Sequence, residues 1–364
     1  MKKILVYGLS NTWGGVENIV LSIIKRMPNN FFFVIILPEG ECLYSNKLGL
    51  NNIQIVNTIA WGKNPFLFAK NIKRLCKQES FSYVWMNVCN LSNVTFLSII
   101  KKYSSAQILL HAHGSSFEEK SKLKSFLIRK LHFYGQKKYL DQVNFFCACS
   151  QKAAKWLYGD KKVHIKIINN GIDADLFDYN EKLRLKYRDD LDINSKVVFL
   201  SIGRLCEVKN QSFSLDVFKK IHDCYASSHL LIVGDGELGS ELKQKCDSLA
   251  LSSNVSFLGF RDDVNCILQA ADILLIPSLH EGLPLVLIEA QCSGLLCIAS
   301  DGVPEEACKT KMLHFLSLKS GANFWANYIL NLLPYERIGY RDEIEKAHFN
   351  IRYSVEEMKN IFNM

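Results

Sequence analysis

Two glutamates frame the segment Glu281-Gly-Leu-Pro-Leu-Val-Leu-Ile-Glu289. Ionised carboxylates accept hydrogen bonds, often in pairs, from the hydroxyls of a sugar. Gly282 and Pro284 fit a turn that leads into a helix. A helix start offers unpaired backbone N–H groups to oxygen-rich ligands. Glu281 is expected before that helix and Glu289 about two turns into it, so the two acids would hold different parts of an extended ligand. An N-terminal acid followed by an incidental helix acid is the plainer alternative. Upstream, Gly203-Arg204-Leu-Cys-Glu-Val-Lys209-Asn210 closes an apolar run. Gly203 permits close backbone approach. Arg204 and Lys209 put two cations at the carboxyl end of a strand, where a pyrophosphate would be met, although two surface cations would read the same way.

Two further clusters lie in the first half. Gly14-Gly15 follows the first apolar run and precedes a helix-like stretch, Val16–Arg26. Small residues there let phosphate oxygens reach backbone N–H groups; an ordinary βα turn needs them too. His111-Ala-His113-Gly114 ends another apolar run, and strand alternation puts both imidazoles on one face. A metal would need a third ligand, and none stands at convincing spacing, so no metal is expected. His111 reads as a core histidine and His113 as the one nearer a loop. No Asp-x-Asp pair is present, and the adjacent Asp262-Asp263 reads as a helix start.

Short apolar runs alternating with helix-like stretches must position these groups. The runs are Ile4–Leu9, Phe31–Leu37, Ile53–Val56, Tyr83–Val88, Ile108–His111, Phe145–Cys149 and His164–Ile168. Their length and β-branched or aromatic content mark buried strands, and the alternation implies an α/β class with parallel sheets. The pattern restarts after Asn169-Asn170-Gly171-Ile172-Asp173 and a polar stretch through Asn194. New runs follow at Val197–Ile202, Leu230–Val233, Val255–Leu258, Ile273–Ile276 and Leu295–Ala299. Two Rossmann-like doubly wound domains are therefore expected, at 1–172 and 173–344, facing each other across a cleft. A last helical stretch, about 345–364 within Arg341–Met364, is expected to pack back on the first.

The chain has 364 residues, 48% hydrophobic and 22% charged, with a net charge of +8. That length suits two cores rather than one, and the charge suggests an anionic partner without choosing among phosphates, lipid and nucleic acid. The apolar run behind Met1-Lys2-Lys3 stops at Ser10-Asn11-Thr12, too short for a signal sequence. No run approaches the ~20 residues of a bilayer span, so a soluble, cytoplasmic protein is expected. Twelve cysteines without CxxC spacing, many of them within apolar runs (Cys147, Cys149, Cys297), read as reduced core thiols.

Taken together, the chain resembles the GT-B glycosyltransferases of family GT4, the large retaining group. The resemblance rests on Glu281/Glu289, Gly203-Arg204…Lys209-Asn210, Gly234-Asp-Gly-Glu237, Leu258-Gly-Phe260, Asn170-Gly-Ile-Asp173 and Gly14-Gly15, which occur in the family's order across nearly the whole chain. It implies an acceptor-binding first domain and a nucleotide-sugar-binding second one. It implies that Arg204 and Lys209 stabilise the diphosphate, with Glu289 on the ribose and Glu281 on the donor sugar. Backbone N–H groups near Gly282 and Leu283 would add contacts, and the base would sit near Phe260 and Arg261. Gly14 and Gly15 would meet the donor phosphates, and His113 would orient the sugar. It further implies a metal-independent retaining enzyme with no cofactor beyond its nucleotide sugar, extending a lipid-linked saccharide in bacterial O-antigen, capsule or exopolysaccharide assembly.

Other readings compete. Gly234-x-Gly236-x-x-Gly239 formally matches a dinucleotide fingerprint, although on the second strand of its unit rather than the first. A degenerate nucleotide-sugar-binding protein and a GT-B epimerase share the motifs. Lys120–Leu140 carries seven Lys/Arg and no acid, with Leu123, Phe126, Leu127, Leu131 and Tyr134 at helical spacing. Such a helix either lies on anionic lipid or turns its apolar stripe to the core. No recognition motif supports nucleic acid.

Overall fold

The structure, a computed structural model, describes residues 1–12, 14–45, 48–114, 122–161 and 163–364; the side chains of 94 and 122–125 are not among those described. Two compact units emerge, one of Met1–Gly171 with Ile351–Met364 and one of Ile172–Asn350. Ile172 and residues 345–350 thus belong with the second unit, where the sequence pattern put them with the first.

The first unit alternates β1 (Lys2–Tyr7), α1 (Gly15–Arg26), β2 (Phe31–Pro38), β3 (Ile53–Thr58), α2 (Pro65–Gln78), β4 (Tyr83–Val88), α3 (Val94–Tyr103), β5 (Gln107–Ala112), α4 (Lys122–Tyr139), β6 (Phe145–Ala148), α5 (Gln151–Tyr158) and β7 (Ile165–Ile167). All seven strands are parallel, in the order β3-β2-β1-β4-β5-β6-β7. Apolar residues on both faces explain the unbroken runs. Leu5, Val84 and Leu110 enter one buried layer, Ile4, Val6 and Trp85 the other. The C-terminal helix Ile351–Asn363 completes the second layer against α1. Its Phe362 ring lies 5.3 Å from Tyr83 and 5.8 Å from Trp85, and Ser354 Oγ donates to Asn169 O at 2.9 Å.

The second unit begins with α6 (Ala174–Phe177) and α7 (Glu181–Asp190). It then alternates β8 (Val197–Ile202), α8 (Gln211–Cys224), β9 (Ser228–Val233), α9 (Gly239–Ser248), β10 (Val255–Gly259), α10 (Val264–Ala270), β11 (Ile273–Ile276), α11 (Leu285–Cys292), β12 (Leu296–Ser300), β13 (Leu313–Leu316), α12 (Gly321–Asn331) and α13 (Arg341–Lys346). Its six parallel strands run β10-β9-β8-β11-β12-β13. In each sheet the order reverses beside the first strand, at β1/β4 and β8/β11. Ligands of such sheets bind beyond the carboxyl ends at this reversal, so the loops after β8 and β11 become neighbours although far apart in sequence. All twelve cysteines are free thiols.

Candidate active site

The loops after β8 and β11 bring two of the expected residues together. Lys209 Nζ lies 2.6 Å from Glu281 Oε1, a part-buried ion pair. The lysine stem runs along Gly203, whose φ is +144°; a Cβ there would stand 3.5 Å from the lysine Cδ and Cε. Ser278 Oγ donates to the same Glu281 oxygen at 2.7 Å. Two further bonds join the loops: Leu279 N to Val208 O at 2.8 Å and Asn210 Nδ2 to Pro277 O at 3.1 Å. Glu281 and Lys209 are therefore one coupled unit. Arg204 is exposed on the same loop, and its carbonyl accepts from Gln211 Nε2 at 3.1 Å.

Glu289 sits differently. Helix α11 starts at Leu285, with Pro284 as its N-cap. Glu289 is thus little more than one turn in, not two as the sequence suggested, because the helix begins only at Leu285. Among the described residues its half-buried carboxylate meets no hydrogen-bonding or charged partner. Burial raises its pKa from 4.5 to about 7, since a desolvated carboxylate favours its neutral form. Gly282 is exposed, with nothing within 4 Å of where a side chain would start. With the half-buried Leu283 it forms an open approach to the helix start.

Phe260 and Arg261 lie at the end of β10, apart from the Lys209–Glu281 pair. Phe260 is 73% exposed. Arg261 turns to Asp263, with Nε and Nη2 at 2.8 and 2.6 Å from its two oxygens, and Tyr187 Oη donates to the same carboxylate at 3.1 Å. Asp263 precedes α10 as expected, but its side chain serves Arg261 and Tyr187 rather than capping the helix. The Gly234-x-Gly236 pattern also finds a packing cause. At Gly234, φ +129°, a Cβ would meet Gly203 O at 2.0 Å, and at Gly236 one would meet Leu205 O at 2.4 Å. Both glycines let the 203–205 loop lie against the end of β9.

In the first unit, His113 follows β5 and its ring centroid lies 4.1 Å from that of His111. His113 Nε2 is 2.9 Å from the Asn87 side-chain amide, a hydrogen bond between the two. Burial drives the His113 pKa down to about 3. His111 is also pushed well below the ordinary value, by burial and then by His113. Both imidazoles are neutral near pH 7. His111 is 1% exposed, and neither of its ring nitrogens finds a partner among the described residues. Among the described residues no three His, Cys, Asp or Glu gather as metal ligands.

Gly14 is the extended N-cap of α1, which lacks a side-chain cap. Space beside Gly15 is open. Sequence reasoning missed Glu17, which is 6% exposed. Its Oε1 accepts from Ser10 N at 2.8 Å and Ser10 Oγ at 2.9 Å. This carboxylate braces the loop and places a negative charge at the helix start expected to receive phosphate. Its signal was the spacing Gly14-Gly15-Val16-Glu17, an acid in the first turn of a helix. Ser278 and Asn87 were missed as well, since a single serine or asparagine at a strand end carries no sequence signal.

A cavity of about 610 Å³ opens elsewhere, at the amino ends of β8 and β11, lined by Arg184, Arg188, Val197, Phe199, Asp272 and Tyr335 among others. Arg184 and Arg188, with Arg337 nearby, donate to the carbonyls of Leu268–Ala271 and to the Asp272 carboxylate. They cap the end of α10.

Residues 196–333 match the family described as Glycosyl transferases group 1. Along 96% of this chain and 94% of the relative, the sequence is 25% identical to EpsF of Bacillus subtilis, which bears a glycosyltransferase name. It is 32% identical, over 52% of this chain and 50% of the relative, to an Escherichia coli UDP-Gal:alpha-D-GlcNAc-diphosphoundecaprenol alpha-1,3-galactosyltransferase. Among solved structures, Anabaena HepE in complex with UDP shares the fold, with a TM-score of 0.79 at 17% identity and 100% of both chains covered. The lipopolysaccharide outer core galactosyltransferase WaaB matches with a TM-score of 0.69 at 17% identity over 100% of this chain and 99% of that one. The second unit thus carries the match to Glycosyl transferases group 1, and the chain has the GT-B fold and is similar to glycosyltransferases of bacterial polysaccharide biosynthesis.

Proposed function

We propose that the chain is a retaining, metal-independent enzyme transferring a hexose or N-acetylhexosamine from a nucleotide sugar, first among them a UDP-sugar. Its acceptor is a lipid-linked saccharide of surface polysaccharide assembly, be it O-antigen, capsule or exopolysaccharide. The observation that carries the proposal is the Lys209–Glu281 pair at the carboxyl ends of β8 and β11, with Glu289 unpartnered among the described residues on the following helix. Two relatives lend support: one is named for a UDP-Gal donor and a diphosphoundecaprenol acceptor, and the HepE structure holds UDP.

The second unit takes the donor and the first the acceptor. Glu289 accepts from the ribose hydroxyls, Glu281 from the transferred sugar. Gly282 and Leu283 offer backbone N–H groups, Phe260 and Arg261 flank the base, and Gly203 lets the diphosphate approach. The bond that breaks joins the anomeric carbon to the diphosphate. Negative charge grows on the departing oxygens, and Arg204 and Lys209 stabilise it by preorganised charge. The acceptor hydroxyl attacks on the same face, and its proton passes to the leaving phosphate oxygen. Gly14 and Gly15 contribute phosphate contacts and His113 orients the sugar, neutral and neither nucleophile nor acid.

The membrane surface is the proposed site of action. On α4, Phe126, Leu127, Phe133 and Tyr134 are 57%, 59%, 43% and 49% exposed. Lys130 lies over Phe126, Arg129 over Phe133 and Lys138 over Tyr134. Exposed rings flanked by cations suit anionic lipid. Lys120 and the side chains of Lys122, Leu123 and Lys124 lie outside the described residues. No described helix is long and apolar enough to cross a membrane. Charge reversal at Arg129 and Lys130 should abolish binding to phosphatidylglycerol vesicles; unchanged binding removes this part of the proposal.

The direct test is a screen of UDP-, GDP- and ADP-sugars with undecaprenyl-diphosphate saccharides, the product linkage read by NMR. Transfer with retained configuration from a UDP-sugar is expected. Transfer or hydrolysis from no donor would indicate a binding protein, and sugar interconversion without acceptor an epimerase.

A further inference from the structure

Glu281 is held through a single oxygen by two unlike partners. Lys209 reaches Oε1 at 2.6 Å along a flexible stem, with 28% of its side chain exposed. Ser278 reaches the same atom at 2.7 Å from a rigid position. Ser278 is 1% exposed, and its carbonyl accepts from Ser300 Oγ. Its backbone lies directly against Gly302, where a Cβ would stand 2.6 Å from Ser278 O and 2.4 Å from Leu279 O. Glu281 N donates to Gly302 O at 3.1 Å. The serine is thus locked on both sides, while the lysine ends a long, part-exposed stem. No bond to Oε2 occurs among the described residues.

A diphosphate arriving at this loop carries more negative charge than one carboxylate and draws the ammonium group toward itself. Glu281 then loses its counter-charge but keeps the serine. We propose that Ser278 is a positioning residue that holds Glu281 in place when the donor's diphosphate takes Lys209, leaving the carboxylate aimed at the hydroxyls of the transferred sugar. The device links the two halves of donor recognition: phosphate occupancy releases the carboxylate, and the serine stops it from wandering. This rests on the donor-site reading above. It adds a specificity residue whose effect is confined to the sugar, since Ser278 bonds neither the lysine nor Glu289.

The test compares wild type, Ser278→Ala and Ser278→Thr by calorimetric titration with UDP and with UDP-glucose, UDP-galactose and UDP-N-acetylglucosamine, melting temperature serving as the folding control. In Ser278→Ala, UDP affinity should stay within about twofold while the best-bound UDP-sugar weakens about tenfold, the loss of one hydrogen bond to a charged acceptor. Turnover should fall with it, and Ser278→Thr should restore most of the difference. Equal weakening of UDP and UDP-sugar would show a merely structural serine and overturn the inference. So would a Ser278→Ala variant that binds both like wild type, with the donor reading left intact. Failure of wild type to bind UDP at all would remove the donor reading and this inference together.

Discussion

The two units end their parallel sheets in opposite electrostatic states. Beyond β8 and β11 the second unit gathers ions: Lys209 paired with Glu281, Arg204 exposed on the same loop, and Glu289 half-buried without a described partner. Beyond β4 and β5 the first unit gathers neutral groups: His111 and His113 ring to ring, with Asn87 hydrogen-bonded to His113 Nε2. On the proposed reading, the ionic end meets developing charge and the neutral histidines orient the sugar. Burial decides the difference. The lysine and its glutamate keep contact with solvent and with each other. His111 is buried and His113 half-buried, with no carboxylate partner among the described residues, so the charged imidazolium is disfavoured.

Substitutions at the two ends differ in the size of their expected effects. Lys209→Ala should have the largest effect, lowering kcat by roughly 100- to 1000-fold, the usual loss when a preorganised charge at a departing group is removed. Steady-state kinetics with the donor found by screening would show it, and a loss below tenfold would mean the ionic end does not meet the developing charge. Glu281→Gln should come next, with turnover down on the order of 30-fold and UDP affinity nearly unchanged, since a neutral amide weakens a charge-assisted bond to sugar. Equal losses of UDP affinity in Glu281→Gln and Glu289→Ala would contradict the division of labour between them.

The pH dependence of Glu289 gives a smaller effect with a fixed sign. Its folded pKa, about 7, exceeds the ordinary 4.5, so the folded state binds more protons between those values. Its contribution to stability is therefore greatest below pH 4.5 and declines as pH rises through about 7. Ribose hydroxyls donate to the ionised form, so UDP affinity should rise by about tenfold from pH 6 to pH 8, following the ionised fraction of a group with pKa near 7. Titrations of Glu289→Gln subtract the ligand's own phosphate ionisation and should show the remainder flatten. The smallest effect belongs to the neutral end. With the His113 pKa near 3, the imidazole should not titrate between pH 5 and 8. NMR of ¹⁵N-histidine protein should show one neutral tautomer across that range, and a protonated His113 at pH 6 would overturn the contrast.

Most of the fold was legible because doubly buried parallel strands leave unbroken apolar runs. The seven strands of the first sheet match the seven runs, and Tyr83–Val88, Val197–Ile202 and Ile273–Ile276 match to the residue. Strand β13, Leu313–Leu316, escaped notice; it is an edge strand whose apolar run is broken by His314. Strand β1 starts at Lys2 because pairing with Phe31 claims that backbone, and it stops at Tyr7 because Gly8 turns with φ +103° against Asn87 O. The candidate residues were legible by type and by nearness to strand ends, but their pairing was not. Lys209 and Glu281 meet because β11 inserts beside β8 rather than beside β10, and sheet order leaves no local trace. Glu17 and Ser278 act through single bonds that no periodicity announces.

The claim on which the rest depends is that Glu289 and its neighbours in the second unit bind the nucleotide. Isothermal titration of UDP into wild type and Glu289→Ala tests it most directly. One site per chain is expected, with affinity at pH 8 reduced about tenfold or more in the variant, as two hydroxyl bonds to a carboxylate are lost. Equal UDP affinity in the two proteins, both folded, would contradict it.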